Sequence, residues 1–155
     1  MKIRPCEPAD APAIEDLFQE FVSYLRSIGD QADYRFSAEQ YVADGFGRVP
    51  SFRGLVAEEE GSIAGYVLFA PMFDGDYVRG LYIVDLYVRP QFRSRGTGRD
   101  LMKAVEDIAR AEGRKRLTWG VHRHNTRAIR FYESLGAAIV TESHTMYLDL
   151  CNLSG

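Results

Sequence analysis

Two glycines and several arginines stand where an apolar stretch gives way to an amphipathic one, in the segment RSRGTG at residues 93–98. The next residues, RDLMKAVEDIARAEG, have the apolar spacing of a helix. Amide groups at the start of a helix have no carbonyl partners and carry partial positive charge. Gly96 and Gly98 would let a large anion touch that backbone, while Arg93, Arg95 and Arg99 add complementary charge. The pattern therefore favours binding of a phosphate, and more specifically of a pyrophosphate.

Two other kinds of phosphate loop do not fit this segment. A P-loop ends in Gly-Lys-Ser or Gly-Lys-Thr, whereas this loop reads Gly98-Arg99-Asp100. The G-x-G-x-x-G pattern of dinucleotide-binding folds is also absent. The two glycines could equally serve only a tight turn from strand to helix. On the glycines alone, the structural and the functional interpretations weigh about the same.

A single acid interrupts the apolar strand LYIVDLYV at Asp85. Its side chain lies on a solvated face, at a bulge or in an active site, and strand alternation alone does not decide between them. Next to a reacting group it would bind or deprotonate an ammonium ion. His122 and His124 form an H-x-H pair on one strand face, but no third ligand is evident. We therefore predict no metal site.

Hydrophobic periodicity predicts a mixed sheet with helices on its faces, an α/β (α+β) sandwich. Asp10 and Ser37 are the expected caps of the first two helices. The predicted order is β-α-α-β-β-β-α-β-α-β-β. The elements are strand 2–6, helices 7–29 and 37–47, strands 53–58, 62–72 and 79–90, helix 98–113, strand 114–121, helix 125–137 and strands 138–143 and 144–150.

Length and composition fit one ordinary domain spanning residues 1–155. The chain is 46% hydrophobic, its two cysteines lie at opposite ends, and no stretch approaches a membrane span. Its first residues lack the apolar run of a signal peptide, so we expect a soluble cytoplasmic protein that does not bind membranes. A net charge of −3 argues against a nucleic-acid partner. Arginines nevertheless concentrate in residues 89–130, which suggests a local anionic ligand.

The pattern R-x-x-G-x-G at Arg93, Gly96 and Gly98 resembles the acetyl-CoA signature of the GCN5-related N-acetyltransferase (GNAT) family. The whole segment LYIVDLYVRPQFRSRGTGRDLM resembles that family's strand, loop and helix. NTRAIRFYESLGA at residues 125–137 is similar to a later family element, and the predicted element order also fits. The resemblance implies a GNAT-type, mostly antiparallel sheet flanked by helices.

The resemblance also implies where acetyl-CoA, the co-substrate, would lie. The strand before the loop carries a bulge in this family, and the pantetheine arm inserts beside it along the backbone. A backbone N–H there would polarise the thioester carbonyl. The cofactor-binding residues implied in this chain are Leu86, Tyr87, Val88, Arg93, Ser94, Arg95, Gly96, Thr97, Gly98, Arg99, Asn125 and Ala128.

Acetyl transfer to an amine requires a base for the ammonium proton and benefits from an acid for the thiolate. Tyr132 matches the family tyrosine that donates a proton to the sulfur of coenzyme A. Its alternative is a core aromatic, as we expect for Phe131. Asp85 is a candidate base and binder of the substrate amine, with a structural role equally open.

The segment DGFGRVPSFRGLVAE, residues 44–58, resembles the diamine acetyltransferase subgroup, which acts on spermidine-type polyamines or thialysine. That resemblance implies a homodimer and a substrate-binding role for Tyr24. The chain has Val84 and Leu25 where the subgroup has glutamates, and Asp74 and Asp76 could replace that charge or simply form a turn. We expect acetyl transfer to the primary amine of a small molecule. A peptide or protein amine, or a non-catalytic acyl-CoA-binding module, are the alternatives.

Overall fold

The structure is a computed structural model that describes residues 1–150. Five strands and four α-helices form in these residues, joined by two short 3-10 turns at Pro8–Asp10 and Pro90–Phe92. The elements are β1 (Lys2–Pro5), α1 (Ala11–Ser27), α2 (Ala38–Phe46), β2 (Arg53–Glu59), β3 (Ser62–Phe73), β4 (Arg79–Val88), α3 (Thr97–Ala111), β5 (Arg116–Trp119) and α4 (Thr126–Glu133).

The strands form one sheet in the order β1-β2-β3-β4-β5. The first three pairs are antiparallel, and only β4 and β5 run parallel. A mixed, mostly antiparallel sheet flanked by helices was predicted, and this fold class is confirmed. The β3–β4 ladder contains one irregularity, because Leu68 pairs with Asp85 while the adjacent Phe69 pairs with Ile83. Val84 is therefore an extra residue, and β4 bulges there.

Helices cover both faces of this sheet. Alternate residues of β3, including Tyr66 and Leu68, face a buried cluster with Ile14 and Leu17 of α1. The residues between them point to the opposite face, where α3 contacts β2, β3 and β4. The buried side chains of α3 are Thr97, Leu101, Met102, Val105 and Ala109. Apolar layers therefore pack against both faces of the central strands.

Local capping follows the sequence in one helix and departs from it in another. The hydroxyl of Ser37 accepts a hydrogen bond from the amide of Gln40 at 3.1 Å, as the predicted cap of α2. Asp10 also lies at the start of α1, but its carboxylate accepts two bonds of 2.8 Å from Arg4 instead of capping that helix. Asp10 pairs with Arg4 because a bidentate bond to a guanidinium group is stronger than a capping bond to a neutral amide.

The prediction of two final strands at residues 138–143 and 144–150 is wrong, because no strand forms between residues 137 and 150. Their apolar side chains remain exposed, as shown by Val140 at 72%, Met146 at 91% and Tyr147 at 92%. A strand needs a neighbouring backbone to complete its ladder and a surface to bury its apolar face. Alternation in the sequence supplies neither.

The chain separates into two compact units, Met1–Asn125 and Thr126–Gly155. The whole sheet and α1 to α3 belong to the first unit, whereas α4 belongs to the second. The interpretation of residues 1–155 as a single domain stays a prediction. In residues 1–150, no helix is both long enough and apolar enough to cross a membrane.

Candidate active site

The turn between β4 and α3 is built around two residues with left-handed backbone, Ser94 (φ 61°) and Gly96 (φ 88°). Gly96 is the N-cap of α3, and the first helical bond runs from the amide of Asp100 to its carbonyl at 2.9 Å. Thr97 is buried and donates its hydroxyl to the carbonyl of Phe92 at 3.1 Å, which fastens the turn. The amides of the first turn of α3 thus face the loop, the arrangement that binds anions.

The three arginines of this loop have different surroundings. Arg93 donates from Nε to the carbonyl of Val88 at 2.6 Å, and its guanidinium carbon lies 5.3 Å from the ring centroid of Tyr87. Its side chain therefore ties the loop to the end of β4. Arg95 and Arg99 are exposed, and a guanidinium nitrogen of Arg95 lies 3.8 Å from a carboxylate oxygen of Glu59. The binding of phosphate by these arginines, by Ser94 and by Gly98 stays a prediction.

Strand β4 has neighbours on both sides over only its first half. Residues Gly80–Ile83 pair with β5, which ends at Trp119. Within the sheet of residues 1–125, Val84–Val88 are flanked by a strand only on the β3 side. The bulge implied by the resemblance is present at the start of this open edge, which runs toward the Gly96 turn. The residues predicted to lie along the cofactor arm, Leu86, Tyr87 and Val88, all belong to it.

Asp85 lies at the start of the open edge and is half-buried. Loss of hydration raises the pKa of its carboxyl from an ordinary 3.8 to about 7, although hydrogen bonds from Tyr66 and from the amide of Leu86 oppose that rise. The hydroxyl of Tyr66 donates to Oδ2 of Asp85. A carboxyl that titrates near neutral pH can both accept and release a proton under physiological conditions.

Two further predicted residues meet near the end of β5. The hydroxyl of Tyr24, on α1, donates to Oδ1 of Asn125 at 3.1 Å, and Asn125 is only 6% exposed. The amide of Asn125 also donates to the carbonyl of His122 at 2.8 Å. The predicted substrate residue Tyr24 and the predicted cofactor residue Asn125 are thus in direct contact.

Ala128 and Tyr132 lie on α4, in the second unit, and both are half-buried. The ring of Tyr132 has its centroid 5.2 Å from that of Phe131, which is half-buried as well. The acid role of Tyr132 and the cofactor role of Ala128 stay predictions.

A second polar group, which the sequence analysis did not predict, lies in the loop between α1 and α2. Asp30 is buried and accepts bonds from the hydroxyl of Tyr34 at 2.6 Å and from the amide of Ala32 at 2.8 Å. Burial and Asp30 raise the pKa of Tyr34 to about 12, and the charge of Asp85 adds to that rise. Tyr34 is therefore electrostatically linked to the candidate base. An acid and a tyrosine four residues apart in a loop carry no recognisable motif, so no sequence signal could have found them.

Asp74 and Asp76 are engaged in the turn between β3 and β4. Both accept bonds from Arg116, at 2.9 Å for Asp74 and at 2.7 and 2.9 Å for Asp76. Arg116 also holds the pKa of the Asp76 carboxyl below its usual range. Of the two uses that the sequence left open for these acids, the structure shows the turn.

The rings of His122 and His124 have centroids 5.4 Å apart, and the amide of His124 donates to Nδ1 of His122 at 3.2 Å. Across residues 1–150, no group of three or more His, Cys, Asp or Glu side chains could hold a metal ion.

The model of the "Acetyltransferase (GNAT) family" matches residues 12–137 of this chain. The chain belongs to the GNAT acetyltransferase family. The match includes β4, the glycine turn, α3 and α4, and it crosses the boundary between the two units.

A similar protein is named as an N-acetyltransferase. A thialysine N-epsilon-acetyltransferase from Bos taurus is 32% identical over 149 residues, which are 91% of this chain and 86% of that protein. This protein is accordingly an N-acetyltransferase.

Solved structures support the fold. A tetramutant of the BH1408 protein from Bacillus halodurans superposes with a TM-score of 0.81 at 24% identity, covering 97% of this chain and 100% of that one. An aminoglycoside N-acetyltransferase in complex with CoA has a TM-score of 0.71 at 18% identity, covering 97% and 100%.

Proposed function

We propose that this protein transfers the acetyl group of acetyl-CoA directly to the primary amine of a small molecule, with both bound in a ternary complex. The observation that carries the proposal is the open edge of β4, which begins at the Val84 bulge beside Asp85 and leads to the Gly96 turn. This edge offers backbone partners for an extended arm, and the turn offers helix amides for a pyrophosphate. The residues present therefore fit acetyl-CoA, which supplies the acetyl group as a thioester.

The residues of this chain divide the proton transfers between them. Asp85 accepts the proton of the incoming ammonium ion, so that the neutral amine nitrogen can form the new C–N bond. An amide of the segment Leu86–Val88 donates to the thioester oxygen and stabilises its developing negative charge. Tyr132 gives its proton to the departing sulfur as the C–S bond breaks. The second proton of the amine nitrogen, released as the amide forms, restores the Tyr132 phenol through water, and Asp85 returns its proton to solvent.

The acceptor that these surroundings favour is an amino-acid-like amine of the thialysine type, as in the Bos taurus relative, over a polyamine. Asp74 and Asp76 are occupied by Arg116, so they do not supply the extra negative charge that a polycation requires. Val84, beside Asp85, is 52% exposed and neutral. One ammonium group of an acceptor can therefore pair with Asp85, but the bulge has no carboxylate that would pair with a second ammonium group.

The test is release of free coenzyme A from acetyl-CoA, followed with a thiol reagent. The acceptors are thialysine, ornithine, diaminopropane, spermidine and short peptides, and Asp85→Asn serves as the impaired variant. We expect the highest kcat/KM with thialysine or ornithine. Turnover confined to peptides would replace the small acceptor by a protein amine. Saturable binding of coenzyme A without turnover on any amine would make the protein an acyl-CoA-binding module and overturn the proposal.

We also propose a homodimer in the cytoplasm. Large apolar side chains are exposed in residues 137–150, and in the sheet of residues 1–125 the last strand, β5, pairs only with β4. Exposed apolar side chains and a free strand edge are both features that proteins cover by association. Sedimentation velocity at micromolar concentration should give twice the 17.5 kDa of one chain. A single species of one chain's mass would contradict the dimer.

A further inference from the structure

A tyrosine hydroxyl lies at the centre of the apolar layer under α1 and meets the carboxyl of Asp85. Tyr66, in the middle of β3, is 0% exposed and packs in the same cluster as Ile14, Leu17 and Leu68. Its hydroxyl donates to Oδ2 of Asp85. A phenol buried this deeply needs a partner for its hydroxyl, because an unpaired buried donor is costly.

The bulge at Val84 makes this contact possible. Successive side chains of a strand point to opposite faces, and residues paired across two strands share a face. Without the extra residue, Val84 would pair with Leu68, and Asp85 would pair with Val67 on the opposite face from Tyr66. With the bulge, Asp85 pairs with Leu68 and joins Tyr66 on one face. A one-residue irregularity thus brings the carboxyl to the hydroxyl.

We propose that Tyr66 is the positioning residue for Asp85. Its hydrogen bond to Oδ2 fixes the carboxyl so that Oδ1 takes the proton of the acceptor amine. This inference rests on the proposed role of Asp85 as base. Tyr66 itself touches no reacting atom, because its side chain is enclosed in the apolar layer.

The same hydrogen bond lowers the pH at which Asp85 ionises. Burial raises the pKa of Asp85 to about 7, and the bond from Tyr66 is the larger of the two hydrogen bonds that oppose this rise, the other coming from the Leu86 amide. The titratable groups coupled to this pair from neighbouring elements are Tyr34 in the α1–α2 loop, Tyr87 on β4 and Cys6 after β1. All three are ordinarily neutral near pH 7, so after the loss of hydration the bond from Tyr66 has the largest effect on the pKa of Asp85.

The experiment compares the pH dependence of kcat/KM in the wild type and in Tyr66→Phe. Loss of a hydrogen bond to a charged group should move the acid limb upward by about one pH unit and lower kcat/KM at pH 6 by about tenfold. Tyr41→Phe is the matched control, because Tyr41 is 1% exposed in the same cluster and is not in the Asp85 pair. It should leave the acid limb in place.

A ¹³C NMR titration of the Asp85 carboxyl, in protein without acetyl-CoA, separates this inference from the proposed function. We expect its midpoint to rise in Tyr66→Phe and to stay constant in Tyr41→Phe. An unchanged midpoint and an unchanged acid limb in Tyr66→Phe would overturn the positioning role. If the midpoint rises but Asp85→Asn keeps full turnover, the contact stands and the assignment of the base fails.

A second variant keeps the test decisive if Tyr66→Phe does not fold. Incorporation of 3-fluorotyrosine at position 66 makes the phenol a stronger donor without removing it. The carboxyl titration of Asp85 should then move to lower pH. A shift to higher pH, or none at all, would contradict the inference.

Discussion

Replacement of Asp85 by Asn should stabilise this protein at alkaline pH, at the position where we place the base. In the folded chain the carboxyl titrates at a pKa of about 7, against an ordinary 3.8. Between these two pKa values, Asp85 is ionised in the unfolded chain but mostly protonated in the folded chain. Folding therefore opposes its ionisation. The contribution of this group to stability is fully present below about pH 4 and is lost as the pH rises through 7.

The size of the effect follows from the two pKa values. A difference between about 7 and 3.8 corresponds to roughly 4 kcal/mol of unfolding free energy between pH 4 and pH 8. Asp85 is half-buried, so residual hydration reduces this figure, and we expect about 2 to 4 kcal/mol. Asparagine has nearly the same shape, can still accept the bond from Tyr66 and does not ionise, so it removes the pH dependence.

The assay is urea unfolding of wild type and Asp85→Asn at each pH from 4 to 8, with the difference in unfolding free energy plotted against pH. The difference should rise in favour of Asp85→Asn across that range. Asp76→Asn is the control, because Asp76 is exposed and Arg116 holds its pKa below the usual range. Its difference from wild type should be constant from pH 5 to 8. A flat curve for Asp85→Asn would refute the desolvation of Asp85 and with it the argument for a base near neutral pH.

The remaining predictions concern the Gly96 turn and Tyr132. Gly96→Ala should lose roughly 1 to 2 kcal/mol of stability, because its φ of 88° strains a residue with a side chain, and titration calorimetry should show weaker binding of coenzyme A. Gly75→Ala, at a turn without positive φ and with open space around its Cβ position, is the control and should change neither quantity. Tyr132→Phe should lower kcat by roughly 10²-fold or more with little change in the affinity for acetyl-CoA; an unchanged kcat on the true acceptor would show that Tyr132 is not the acid.

The strand-turn-helix around Gly96 was predictable because its signals are local: glycine is favoured at a left-handed position such as that of Gly96, and the apolar spacing of residues 98–113 fits a helix. The cap at Ser37 was predictable for the same reason. The final strands were not predictable, since a ladder depends on a partner strand that is not specified by the residues of the strand itself.

What the sequence alone determined was the family, the sheet with its covering helices and the glycine turn for which phosphate binding is predicted, because each depends on a short pattern of residue types. Only the tertiary structure decided the face on which Asp85 lies, since one extra residue at Val84 reverses the alternation. It also decided that Tyr66, 19 residues away, holds that carboxyl, and that Arg116 occupies Asp74 and Asp76. A pKa and a pairing depend on what surrounds a group in space, and residue types along the chain do not specify those surroundings.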